Sequence, residues 1–95
     1  MKRGTAASSQ LRKRDVPAAI DLHGLTVDEM LPKVNDFIHN AYHARLPRIL
    51  IVHGKGTGIL KEEVHRYLSG HSLVRAHRAA DRYHGGEGAT EVYLK

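Results

Sequence analysis

Two short segments carry residue types that do chemistry near neutral pH. Asp21 and His23 lie two residues apart in Ala18-Ala19-Ile20-Asp21-Leu22-His23, and His53 opens the run His53-Gly54-Lys55-Gly56-Thr57-Gly58. An imidazole with an unperturbed pKa of about 6.5 gives or takes a proton near neutrality, and a neighbouring carboxylate orients it and favours its charged form. Asp21, His23 and His53 are therefore the candidate catalytic residues, with two histidines offering a base and an acid. In the second segment glycines let an anion approach backbone N–H groups, and Lys55 adds a full charge, so Gly54, Lys55, Gly56, Thr57 and Gly58 form a candidate phosphate grip. The run is not a Walker A loop, because the four-residue gap between the first Gly and Gly-Lys is missing. Taken singly each signal is weak: Asp21 also reads as a carboxylate capping the following loop beside a strand-end histidine.

The elements around these segments decide whether they meet. Residues 18–23 read as a short strand with Ile20 and Leu22 on one face and Asp21 and His23 on the other. A helix start follows, with Thr26 as N-cap, Glu29 as its reciprocal partner and Leu25 against Met30 as a staple. Val27, Met30, Leu31, Val34, Phe37, Ile38, Ala41 and Tyr42 continue an apolar stripe to about residue 44, interrupted by Pro32, which predicts a kink, a loosened first turn or a later start. Ile49-Leu50-Ile51-Val52 reads as a central strand covered on both faces, and a second helix is expected over residues 58–69 with Gly70 ending it. Residues 73–79 and 89–94 read as two further strands, the last alternating Thr90, Val92, Leu94 against Ala89, Glu91, Tyr93. The order is β-α-β-α-β-β. Parallel strands joined by a crossover helix place their C-terminal ends at one edge, so the two histidine segments converge if the first two strands are neighbours.

Arg75, His77 and Arg78, with Arg82 and His84 beyond them, make the third strand a candidate surface for a nucleic-acid backbone, and Gly86 of the Gly85-Gly86-Glu87-Gly88 turn is a candidate contact beside it. The eight histidines suggest no metal centre. His39 and His43 are four apart on a helix but lack the intervening Glu of the zinc-protease motif, and the others form no recognised ligand set. The absence of cysteine excludes disulfides and thiolate zinc sites and suits a reducing cytoplasm. No apolar run reaches the roughly 20 residues that a membrane span needs. Residues 1–17 read as a flexible basic tail or linker ahead of one domain at 18–95. Lys2, Arg3, Arg12, Lys13 and Arg14 against Asp15 place there most of the net charge of +5. One Phe and four Tyr offer little base stacking, so contacts are expected mainly with phosphates.

Three segments taken together, Ile20-Asp21-Leu22-His23-Gly24-Leu25-Thr26, Ile51-Val52-His53-Gly54-Lys55-Gly56-Thr57-Gly58-Ile59-Leu60 and Gly85-Gly86-Glu87-Gly88-Ala89-Thr90-Glu91-Val92, resemble in order and spacing the Smr (small MutS-related) domain. The resemblance covers residues 20–94. It implies a two-layer α/β sandwich with a four-stranded mixed sheet, like the C-terminal domain of a bacterial translation initiation factor. It also implies endonuclease activity, as DNA nicking or RNA cleavage, tied to Asp21, His23 and His53, with Gly54 and Gly56 shaping the loop. RNA cleavage offers a 2′-hydroxyl nucleophile and needs only the histidines, whereas DNA cleavage uses water and would draw on a divalent cation such as Mg or Mn. The alternative reading is a non-cutting module that docks on DNA, RNA or the ribosome, either by itself or as part of a larger MutS-like ATPase.

Overall fold

The computed structural model describes residues 18–95. Strand β1 (Ala19–Asp21), helix α1 (Val27–His43), strand β2 (Arg48–Val52), helix α2 (Ile59–Ser69), strand β3 (Val74–Ala79) and strand β4 (Ala89–Leu94) follow in that order, with two single 3-10 turns, Arg82–His84 and Gly86–Gly88, between β3 and β4. The sheet order is β1-β2-β4-β3. β1 pairs parallel to β2, while β4 runs antiparallel to both β2 and β3. The condition for convergence of the two histidine segments is thus met. The parallel pairing continues one rung past β1, where the Leu22 N–H donates to the Val52 carbonyl at 2.7 Å.

Both helices cover one face of the sheet. Their buried residues, Met30, Val34, Ile38 and Ala41 on α1 and Val64 and Leu68 on α2, pack on Ile49, Ile51, Val92 and Leu94. Each such aliphatic side chain contributes about 1.5–3 kcal/mol on burial, so this single layer carries most of the apolar stabilisation. The outer ends of the expected stripes stay wet: Tyr42 and Ile59 are exposed.

Four expectations need correction. β1 stops at Asp21 rather than reaching His23, because the Asp21 carboxylate accepts the His23 N–H at 2.9 Å and the chain turns, closing with Leu25 N–H on the Leu22 carbonyl at 3.0 Å. Pro32 does not delay the helix: the capping box, with Glu29 N–H donating to Thr26 Oγ1 at 3.2 Å and Thr26 N–H to Glu29 Oε1 at 2.9 Å, anchors it six residues upstream, and α1 is assigned unbroken. Leu73 lies outside β3, whose pairing slips between Val74 and Ala76 in a bulge. β2 has helices on one face alone; on the other, Leu50 and Val52 join Ala80 and Ala89 in a small separate cluster. The alternation of β4 is as expected, yet its second face is also sealed. Glu91 is buried there, bonded by Arg78 Nε at 2.8 Å, with Arg48 at 3.3 Å and Tyr93 Oη at 3.1 Å. The reading of residues 1–17 as a tail falls outside the described residues.

Since the capping box sets the register in which α1 meets the sheet, Thr26→Ala is expected to lower unfolding stability by about 1 kcal/mol and Thr26→Ser to leave it nearly unchanged, as read by urea denaturation.

Candidate functional site

The parallel rung between Leu22 and Val52 delivers the two turns that follow to one sheet edge. His23 is exposed there, and a Cβ built on Gly54 would lie 3.5 Å from its Nδ1, so the imidazole rests against the glycine loop. Gly54 holds φ at 79°, a left-handed backbone that a side chain would strain even before it met His23. Between the turns lies a cleft of about 460 Å³ lined by His23, Thr26, His53, Lys55, Lys61 and the loop glycines, with no carboxylate in its wall.

Asp21 is spent locally. Its carboxylate caps the turn through the His23 N–H, and no ion pair joins it to the His23 ring among the described residues. It presents His23 by holding the backbone.

His53 has a different environment from His23. It is buried, its Nδ1 donates to the Gly54 carbonyl at 2.9 Å, and its Nε2 lies 2.9 Å from Thr90 Oγ1. On the other side of the same hydroxyl, His65 Nε2 stands at 2.8 Å. Burial lowers the His53 pKa below the usual histidine value, with Lys61 adding to the effect against the Gly54 hydrogen bond. The His65 pKa is also lowered, first by burial and then by His77, His53 and Lys61. Both rings are therefore held neutral.

The loop amides divide into used and free. The Gly88 carbonyl accepts both the His53 N–H at 3.0 Å and the Gly54 N–H at 2.9 Å, and Gly58 N–H closes on the Lys55 carbonyl at 3.1 Å. Thr57 Oγ1 receives the Ile59 N–H at 3.4 Å. The N–H groups of Lys55, Gly56, Thr57, Leu60 and Lys61 have no partner among the described residues. Those five amides, with the positive end of the α2 dipole and two lysines, favour an anion such as phosphate.

The remaining candidates do not gather here. On β3, Arg75 and Arg78 lie over the Tyr93 ring at 5.5 and 5.7 Å, on the sheet face away from the helices. Arg78 is further committed to Glu91. His77 projects to the opposite face, its ring 4.9 Å from that of His65. Gly86 sits in the second 3-10 turn, its N–H on the Asp81 carbonyl at 2.8 Å, and it is Gly88 of that turn whose Cα region packs on Gly54 and Lys55. Three residues absent from the sequence-derived site thus belong to it: Gly88, Thr90 and His65. Thr90 and Gly88 stood inside the third signature segment, but nothing in their type distinguished hydrogen-bond partners of His53 from ordinary turn and strand residues. Among the described residues no group of three or more His, Asp or Glu side chains is placed to hold a metal ion.

The lowered pKa values of buried His53 and part-buried His65 make stability sensitive to acid. The unfolded chain takes up these protons at about pH 6.5 and the folded one only at lower pH, so stability is full above about 6.5 and falls as the pH descends through the lowered folded values. Thermal melts between about pH 7.5 and 5, above the carboxylate range, should show a decline that is shallower in His65→Gln; a flat wild-type profile would contradict this.

A family model described as the Smr domain matches residues 20–95. The chain is 42% identical over 83 residues to the endonuclease MutS2 of Pelotomaculum thermopropionicum, covering 87% of this chain and 11% of that protein, and 41% identical over 80 residues to the endonuclease MutS2 of Thermomicrobium roseum, covering 84% and 10%. It thus spans about a tenth of the length of these relatives. Among solved structures, the Smr domain of Thermus thermophilus MutS2 superposes with a TM-score of 0.80 at 35% identity, covering 82% of this chain and 98% of that one. YdaL, a stand-alone small MutS-related protein from Escherichia coli, gives 0.79 at 32% identity, covering 90% and 73%. With the three signature segments converging at one sheet edge, the chain belongs to the Smr domain family.

Proposed function

We propose that this domain cleaves the phosphodiester backbone of DNA or RNA at the cleft between the two histidine turns. The observation that carries the reading is the exposed His23 imidazole standing against an amide-rich, carboxylate-free loop at the start of α2. The endonuclease names of the MutS2 relatives support it.

In this reading Lys55 and the free amides of the loop and of α2 hold the non-bridging oxygens of the scissile phosphate and stabilise the charge that builds as the nucleophile adds. His23 takes the proton from that nucleophile, a 2′-hydroxyl in RNA or water in DNA, as the new P–O bond forms. The leaving oxygen departs with a proton from solvent or from the imidazolium just formed. Asp21 fixes the turn that aims the ring. His53, with both ring nitrogens engaged, acts as a positioning residue for the Gly54–Gly58 loop rather than as a proton carrier in the cleft. A module that binds nucleic acid or the ribosome without cutting would share this surface and differ in turnover.

Labelled single-stranded RNA and supercoiled DNA, each incubated with and without EDTA, separate these readings and identify the substrate and the ends produced. His23→Ala is expected to lower kcat by about 100-fold or more while leaving binding in place. Lys55→Ala is expected to lower kcat as well as raise KM, and to weaken the salt dependence of binding by about one phosphate contact. Wild-type rates on both substrates in His23→Ala would sink the mechanism, and an intact wild-type chain that binds without cutting either would support the docking module.

A further inference from the structure

The Thr90 hydroxyl lies between two imidazole nitrogens, His53 Nε2 at 2.9 Å and His65 Nε2 at 2.8 Å, in a fully buried position on the helix-covered face of β4. A hydroxyl has one hydrogen, so it donates to one ring and accepts from the other. The direction is set from outside. The Gly54 carbonyl can only accept, so the hydrogen of the 2.9 Å contact belongs to His53 Nδ1, which leaves the neutral ring's Nε2 bare. Thr90 therefore donates to His53 Nε2 and accepts from His65 Nε2–H. The same logic continues one step. Ser69 Oγ donates to the His65 carbonyl at 2.9 Å, so the 3.3 Å contact with His77 Nε2 places the hydrogen on that nitrogen. His77 Nδ1 is left bare, and it has no partner in its buried position.

We infer that Thr90 is a positioning residue for the cleft: it donates to the bare Nε2 of His53, whose Nδ1–H tautomer the Gly54 carbonyl sets, and so fixes the ring that keeps the Gly54 carbonyl turned inward and the Gly54–Gly58 loop aimed outward. The other tautomer would put two hydrogen acceptors, the bare Nδ1 and the Gly54 oxygen, face to face. A protonated His53 would donate through Nε2 to Thr90 and turn the Thr90 hydrogen onto His65 Nε2, which must then carry its own hydrogen on Nδ1, so the two rings and the hydroxyl switch together. The third signature segment thus reaches the second twice, through the Gly88 carbonyl on the backbone and the Thr90 hydroxyl on the side chain.

The assignment rests on the nuclease reading only in its kinetic arm. Long-range ¹H–¹⁵N spectra of the full chain should show His53 with its proton on Nδ1 and a hydrogen-bonded Nε2 in the wild type and in Thr90→Ser, and an Nε2 resonance moved to that of an unbonded ring nitrogen in Thr90→Val. Thr90→Ala replaces Thr90→Val should the added methyl prevent folding. Cleavage by the hydroxyl-free variant should lose at least about tenfold in kcat with KM little changed, and Thr90→Ser should restore it. An unchanged His53 signal in the hydroxyl-free variant, or a changed signal with unchanged kcat, overturns the inference. A wild-type chain that cuts neither nucleic acid overturns the nuclease reading alone, and the spectra then decide the Thr90–His53 hydrogen bond by themselves.

Discussion

One backbone oxygen ties the site together. The Gly88 carbonyl receives both the His53 and the Gly54 N–H, and so joins the last turn of the chain before β4 to the first residues after β2. Without it, two consecutive amides at the end of a central strand would lose their partner, at a cost of about 1–3 kcal/mol for one that stays buried. With it, the glycine loop leaves the sheet in a single direction. The turn that carries this oxygen also depends on a glycine: Gly85, at φ 117°, stands so near Ala89 that a Cβ there would meet the Ala89 Cβ at 2.7 Å, whereas a Cβ on Gly88 would make only ordinary contact with the Gly54 backbone at 3.5 Å.

Sequence patterning made much of the fold legible, for reasons that can be located. The capping box of α1 is a local code, with both partners within four residues, and the Met30, Val34, Ile38 and Ala41 spacing states which face of the helix is apolar. The parallel neighbourhood of β1 and β2 needed the order of elements together with the rule for crossover connections. The end of β1 was misread because Asp21 competes with the ladder for the His23 N–H, and a side chain that bonds its own backbone looks in sequence like one more polar position on a strand.

The candidate site was less legible, since its internal division depends on contacts between residues distant in the chain. Nothing in the spacing separates His23 from His53; what does so is Thr90, 37 residues further on, which meets one ring in the interior while the other stays at the surface. The basic residues of β3 show the opposite failure. Arg75, His77 and Arg78 form one cluster on paper, but the pleat sends His77 and Arg78 to opposite faces, the bulge between Val74 and Ala76 puts Arg75 with Arg78 at Tyr93, and Glu91 then engages Arg78. A burial of charge of this kind is invisible until the register of β3 on β4 is known.

The brevity of β1 has a consequence for motion. Three residues at the edge of a sheet, held on one side only, form a unit that opens at a small fraction of the free energy needed to unfold the whole domain, whereas β2 and β4 are paired on both flanks and exchange their amides last. His23 rides on the first unit and His53 on the second. The imidazole that faces a substrate can thus be displaced and restored on the timescale of local fluctuations, while the scaffold it returns to stays closed.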